Sequence, residues 1–168
     1  MILTVGHSTH PIEEFIRILH AHGVDQIADV RTIPKSRRNP QFAQDALEKS
    51  LASAGIGYVH LPGLGGLRHP RKDSINTAWR NASFRGYADY MQTPQFREAL
   101  GELIEIAERR CTAIMCAEAV PWRCHRSLIG DALIARGVEV EDIFSATSIK
   151  PHMLTRFAKI QGESVIYI

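Results

Sequence analysis

The sequence predicts a single α/β domain: a mostly parallel sheet of five or six strands with helices on both faces, Rossmann-like and doubly wound. Three observations predict it. Short apolar runs alternate with amphipathic segments of ten or more residues, the spacing that parallel strands need for their crossovers. A chain of 168 residues that is 45% hydrophobic suits one core. The residues able to do chemistry fall just after the apolar runs, where open α/β sheets place their ligands.

Residues 2–5 form an apolar run that ends at Gly6. Pro11 suits the first helical position, Glu13 and Glu14 face the positive end of the helix dipole, and Ile12, Phe15, Ile16 and Leu19 recur at helical spacing until Gly23 supplies a stop. Residues 26–30 read as a second strand, and a polar stretch with Pro34 and Pro40 leads into a helix over about 41–54 that Gly55 ends. The third strand is 57–61, running into the turn-rich 62–67. Residues 68–83 show no clear period, and the stretch from about 62 to 92 reads as a basic excursion in which a lid could sit. A short helix is expected at about 84–92. Thr93 and Pro94 then cap and open a helix with Phe96, Leu100, Leu103, Ile104 and Ala107 on one face. Residues 111–116 are the fourth strand, 124–136 a helix ended by Gly137, 138–144 the fifth strand, and 164–168 an edge strand or an ordered tail.

Net charge is only +2, but it is unevenly spread. Residues 31–85 hold ten Arg and Lys against three acids, whereas the remainder holds ten against fifteen. A positive face on an acidic body is the expectation, and an anionic small molecule or nucleic acid the expected partner. The competing reading is a solvated basic surface. No apolar stretch approaches the ~20 residues a bilayer requires, and residues 1–7 carry neither a basic leader nor a small-residue cleavage site. A cytoplasmic protein without a membrane partner is therefore expected. Three cysteines do not suggest a disulfide framework.

The chemical centre is the block Cys116-Ala-Glu-Ala-Val-Pro-Trp-Arg-Cys-His-Arg126. If Cys124, His125 and Arg126 open a helix, the backbone N–H groups there bind an anion and favour a thiolate, which makes Cys124 the candidate nucleophile. Arg31, Arg123 and Arg126 are the candidate anion holders, with Ser8 and His125 beside them. Glu118 and His7 are the acid–base candidates, burial in a small apolar stretch being expected to raise the Glu118 pKa. Gly6, Asp29 and Cys116 support them: Gly6 makes a tight turn, and Asp29 either orients His7 or pairs with Arg31. Against these stand plainer roles, namely helix capping for Ser8 and Thr9 and simple packing for Cys116 and Cys124. A redox couple of the two cysteines is a further reading. Zinc is a minor possibility, since Cys116 and Cys124 lack C-x-x-C spacing, and no cofactor is predicted. Of the other histidines only His60, at the end of the third strand, has a site-like context. Gly63-Leu-Gly-Gly66 lacks dinucleotide-binding spacing, and no phosphate loop or nucleophile elbow is present. Trp79, Phe84, Tyr87 and Tyr90 are expected to pack the excursion onto the core in preference to stacking on bases.

Taken together, Thr4-Val-Gly-His-Ser8, Asp29-Val-Arg31 with Pro34, Ser36 and Phe42, Leu64-Gly-Gly66, Phe84-Arg-Gly-Tyr-Ala-Asp-Tyr90 and the Cys116–Arg126 block resemble the bacterial and archaeal domain-of-unknown-function family 488. The resemblance runs through nearly the whole chain. It implies a small α/β domain with these motifs grouped at one site, and it supplies no activity. One departure is Asp142, where the resemblance leads to the expectation of a His. The function expected from the residues is a small enzyme of hydrolase or transferase type acting on a phosphate-bearing or other anionic substrate, a nucleotide or nucleic-acid fragment. The alternatives are a non-catalytic nucleic-acid-binding module and a thiol redox sensor.

Overall fold

A computed structural model describes residues 1–168. In chain order the elements are β1 (Ile2–Gly6), α1 (Ile12–Ala21), β2 (Gln26–Asp29), α2 (Gln44–Ser53), β3 (Gly57–His60), α3 (Ala82–Tyr90), α4 (Pro94–Arg109), β4 (Thr112–Cys116), α5 (Arg126–Ala135), β5 (Val140–Ser145), β6 (Ser148–Pro151), β7 (Ala158–Gln161) and β8 (Ser164–Tyr167). No helix is long and apolar enough to cross a membrane.

The main sheet has six strands in the order β3-β2-β4-β1-β5-β6, all parallel except β6, which runs antiparallel to β5. The chain first moves outward from β1 to β2 to β3, then returns through β4 and crosses to β5. Right-handed crossovers in opposite directions place their helices on opposite faces. Phe15, Ile18 and Leu19 of α1 and Leu47 and Leu51 of α2 accordingly share one core cluster, and α3, α4 and α5 pack into the other. Each such buried side chain stabilises the domain by about 1.5–3 kcal/mol. The central strands β1 and β4 are buried at every position, which is why they read as unbroken apolar runs.

The structure differs from expectation at four places. Residues 164–168 do not form an edge of the main sheet; β8 pairs with β7 in a separate two-stranded sheet, because β6 occupies that edge. Neither β6 nor β7 is anticipated by the sequence pattern. The last helix begins at Arg126 and not at Cys124: Pro121 opens a 3₁₀ turn over Pro121–Arg123, Cys124 is extended (φ −137°, ψ 149°), and its Sγ accepts the Arg126 N–H at 3.5 Å. Finally, the 62–92 excursion is tied down. The Ala78 N–H donates to the Tyr167 carbonyl at 3.1 Å and the Tyr167 N–H to Asn76 Oδ1 at 3.0 Å, while within the segment Tyr87 and Tyr90 donate to the Leu64 and Gly63 carbonyls at 2.8 and 2.6 Å and Asp89 accepts from Ser74, Asn76 and the Arg71 N–H.

Beneath the sheet's carboxyl edge runs a chain of buried polar groups. Arg126, fully buried, donates to Thr4 Oγ1 at 3.4 Å, and Thr4 donates to Asp142 at 2.6 Å. His152 lies between two carboxylates, with Nδ1 2.9 Å from Asp142 and Nε2 3.0 Å from Asp131. Asp131 also accepts from the Thr155 hydroxyl at 2.6 Å and from Tyr167 at 2.9 Å. With both ring nitrogens facing carboxylates, His152 is an imidazolium, and two cations balance two anions. An imidazole thus does stand beside position 142, supplied by His152.

Burial alone would lower the His152 pKa, but the hydrogen bonds to Asp131 and Asp142 outweigh it and raise the pKa from 6.5 to about 9. A group whose pKa rises on folding contributes its full stabilisation below pH 6.5 and loses it as the pH climbs through about 9. Melting temperature should fall across that window. His152→Asn, which strands two buried carboxylates, should cost about 3–5 kcal/mol at neutral pH and flatten the alkaline slope, as read by calorimetric melts across the window.

Candidate functional site

The loops after β1 and β4 leave toward opposite faces of the sheet, which opens a crevice between them, the switch point where α/β sheets bind ligands. A cleft of about 660 Å³ lies there. His7, Ser8 and Thr9 after β1, residues 31–33 and 35–39 after β2, Gly66 and Leu67, and Ala117, Glu118 and Ala119 after β4, with His125, all contribute to its wall.

Its geometry begins with Gly6. The β1 backbone runs on beside the β4 loop, His7 and Ser8 donating their N–H groups to the Cys116 and Ala117 carbonyls at 2.9 and 3.0 Å. A Cβ on Gly6 would collide with the Glu118 carbonyl oxygen, so only glycine permits this approach. The chain's two non-glycine residues with left-handed backbone, Ser8 (φ 49°) and Leu67 (φ 57°), both line the cleft. Strain of this kind concentrates at functional sites. Ser8 caps no helix, since α1 starts after Pro11 without a side-chain cap.

His7 is buried and stacked on Phe42 with ring centroids 4.2 Å apart. Nδ1 lies 2.8 Å from the Ser8 carbonyl oxygen, which can only accept, so Nδ1 carries the hydrogen and Nε2 the lone pair. Burial lowers the His7 pKa to about 4, and the ring is neutral at physiological pH. His125 is similar: burial lowers its pKa to about 4, and Nε2–H donates to the Val30 carbonyl at 2.8 Å. Its Nδ1 therefore accepts, and it faces the Cys124 thiol at 3.4 Å.

The basic residues sort differently from the sequence expectation. Arg31 is at the wall, but its guanidinium grips Asp29 at 2.7 and 2.9 Å and the Phe42 carbonyl at 2.8 Å, so Asp29 pairs with Arg31 and does not orient His7. Arg126 does not reach the cleft. It lies under the floor, donating to the Glu118 and Ala119 carbonyls at 3.1 and 3.3 Å, and it shapes the loop from below. Arg123 is exposed and off the wall. The open cations are Lys35, Arg37 and Arg38, exposed, without an acidic partner, and facing a wall whose one acid is Glu118. Glu118 is itself exposed, so the burial expected of it is not found. His60 Nε2 meets the Arg31 carbonyl at 2.7 Å and stays outside the cleft.

Both cysteines of the motif are buried and neither lines the cleft. The Cys116 thiol donates to the Glu118 carbonyl at 3.8 Å, and the Cys124 thiol faces His125 Nδ1. The neighbouring Cys116 thiol and burial push the Cys124 thiol up. For Cys116 burial pushes upward, but the neighbouring Cys124 thiol and the Arg126 charge reverse it and leave the thiol below its ordinary value. Arg126 Nε has no hydrogen-bond acceptor, so this cation still lacks a full set of partners.

Two backbone substitutions test the construction. Gly6→Ala should cost about 1–3 kcal/mol through the forced shift of the β4 loop. Ser8→Gly should raise stability by about 0.5–1 kcal/mol, the left-handed strain relieved less the entropy of glycine in the unfolded chain. Urea unfolding of both variants reads the two signs.

Among known families, the one described as Domain of unknown function DUF488 matches residues 11–133, from just before α1 into α5. No curated protein matches the chain, nor does any solved structure. The match takes in Asp29, Arg31 and the whole 116–126 block and covers well over half of the residues, so the chain belongs to the family Domain of unknown function DUF488.

Proposed function

We propose that the cleft binds a phosphate-bearing anion and that the protein acts on it as a hydrolase or transferase. One observation carries this reading: Lys35, Arg37 and Arg38, three cations without acidic partners, line a 660 Å³ cleft at the sheet's switch point together with a neutral histidine. Exposed guanidinium groups donate bidentate hydrogen bonds to phosphate oxygens, and Ser8 and Ser36 add hydroxyl donors. His7 Nε2 is the base that takes a proton from an attacking hydroxyl or water. Glu118 is the carboxylate at the rim.

Calorimetric titration with pyrophosphate tests the binding half. Arg37→Ala should weaken it about tenfold or more, the value of a charge-assisted hydrogen bond, whereas Arg123→Ala should leave it as in the wild type. Equal affinity in wild type and Arg37→Ala would remove the cleft from consideration.

A second reading, a thiol redox device, is favoured by the burial of two free thiols, Cys116 and Cys124, in one core cluster. A peroxide would take two electrons from the pair: the S–S bond forms, the O–O bond breaks, and the two thiol protons leave in two waters. Intact-mass measurement after hydrogen peroxide treatment should show loss of two hydrogens, abolished by Cys124→Ser. Unchanged mass with both thiols still titratable assigns the cysteines to packing.

A further inference from the structure

The loop after β4 has two sides. Glu118 and Ala119 line the basic cleft, while Pro121 and Trp122 line a second, larger cavity of about 970 Å³. Two residues of chain span at most about 7 Å, so Ala119 on one wall and Pro121 on the other are neighbours in space.

The second cavity is aromatic where the first is basic. Trp122 and Phe144 form a continuous wall, with ring centroids 6.2 Å apart, and Trp79 lines the same space. Trp122 is 62% exposed and Met153, also on this cavity, 84%. One such residue at a surface is ordinary, but two beside further aromatic rings make an apolar patch of the kind that marks a binding site. Polar handles accompany it. The Lys150 ammonium lies 5.8 Å from the centre of the Phe144 ring, and the buried Trp79 Nε1–H has no acceptor within the protein. The Asp142–His152 pair that also borders the cavity is neutralised internally, so it does not repel an anion.

We infer that this cavity is the ring-binding half of a nucleotide site: the phosphate groups lie among Lys35, Arg37 and Arg38, and the base lies across Trp122 and Phe144 on the far side of the β4 loop. Every base has a π face for the wall, and ring nitrogens or carbonyl oxygens to accept from Lys150. The inference rests on the anion-binding reading of the cleft, to which it adds the substrate's second half.

The test compares adenosine monophosphate with ribose 5-phosphate, which keeps the phosphate and lacks the base, by calorimetry and by Trp fluorescence. The nucleotide should bind about tenfold or more tightly and quench Trp122, and Trp122→Ala should bring it down to the affinity of ribose 5-phosphate, the same loss of about tenfold or more. Trp122→Phe should retain most of the affinity. If the two ligands bind equally and Arg37→Ala weakens both, the ring site is overturned and the basic cleft stands. If the nucleotide binds and quenches but Arg37→Ala has no effect, the cleft falls and the joint site with it. Binding of neither ligand overturns both.

Discussion

A buried arginine needs somewhere to put its charge, and the rest of this structure is arranged around how Arg126 does so. Its guanidinium reaches the β4 loop through two backbone carbonyls and β1 through the Thr4 hydroxyl, and Thr4 hands the connection to Asp142 on β5. From there His152 links Asp142 to Asp131 on α5, and Tyr167 brings in β8. Removing water from four charges costs far more than one ion pair returns, so such a chain is tolerable only when every link is present. That requirement couples β1, β4, β5, α5 and the β7–β8 hairpin to a single geometry. The loop that Arg126 holds from below is the one that presents Glu118 above.

The cleft is therefore the upper surface of a rigid assembly and not a loose gathering of loops. Its cations, however, belong to the segment after β2, where Lys35, Arg37 and Arg38 are exposed and unpaired. Imidazoles held by backbone carbonyls thus stand on one side of the cleft, and long exposed cationic side chains on the other.

Much of this is legible in the sequence, and the failures have physical causes. The alternation of strand and helix, the stop glycines at positions 23, 55 and 137, which adopt φ of +70°, +77° and +79°, and the Thr93 cap are local signals that tertiary structure leaves intact. The meeting of the loops after β1, β2 and β4 follows from topology alone. Local signals do not show which way a basic side chain points. Because the last helix starts two residues later than expected, Arg126 turns inward to the core and Arg123 outward to solvent. β6 and β7 are short and half-exposed, with Lys and Pro in β6, and so lack an apolar alternation to read. His152 has no local motif either, since its carboxylates lie ten and twenty-one residues away in sequence.

The position of β1 has a consequence for how the chain comes to be folded in a cell. Its neighbours in the sheet are β4 and β5, whose first residues are Thr112 and Val140. During synthesis β1 thus waits unpaired while about a hundred further residues are translated before β4 is made. Contacts so distant in sequence form slowly, and an unpaired hydrophobic strand is a target for aggregation. The polar chain that locks the sheet closes later still, once His152 and Tyr167 have been made.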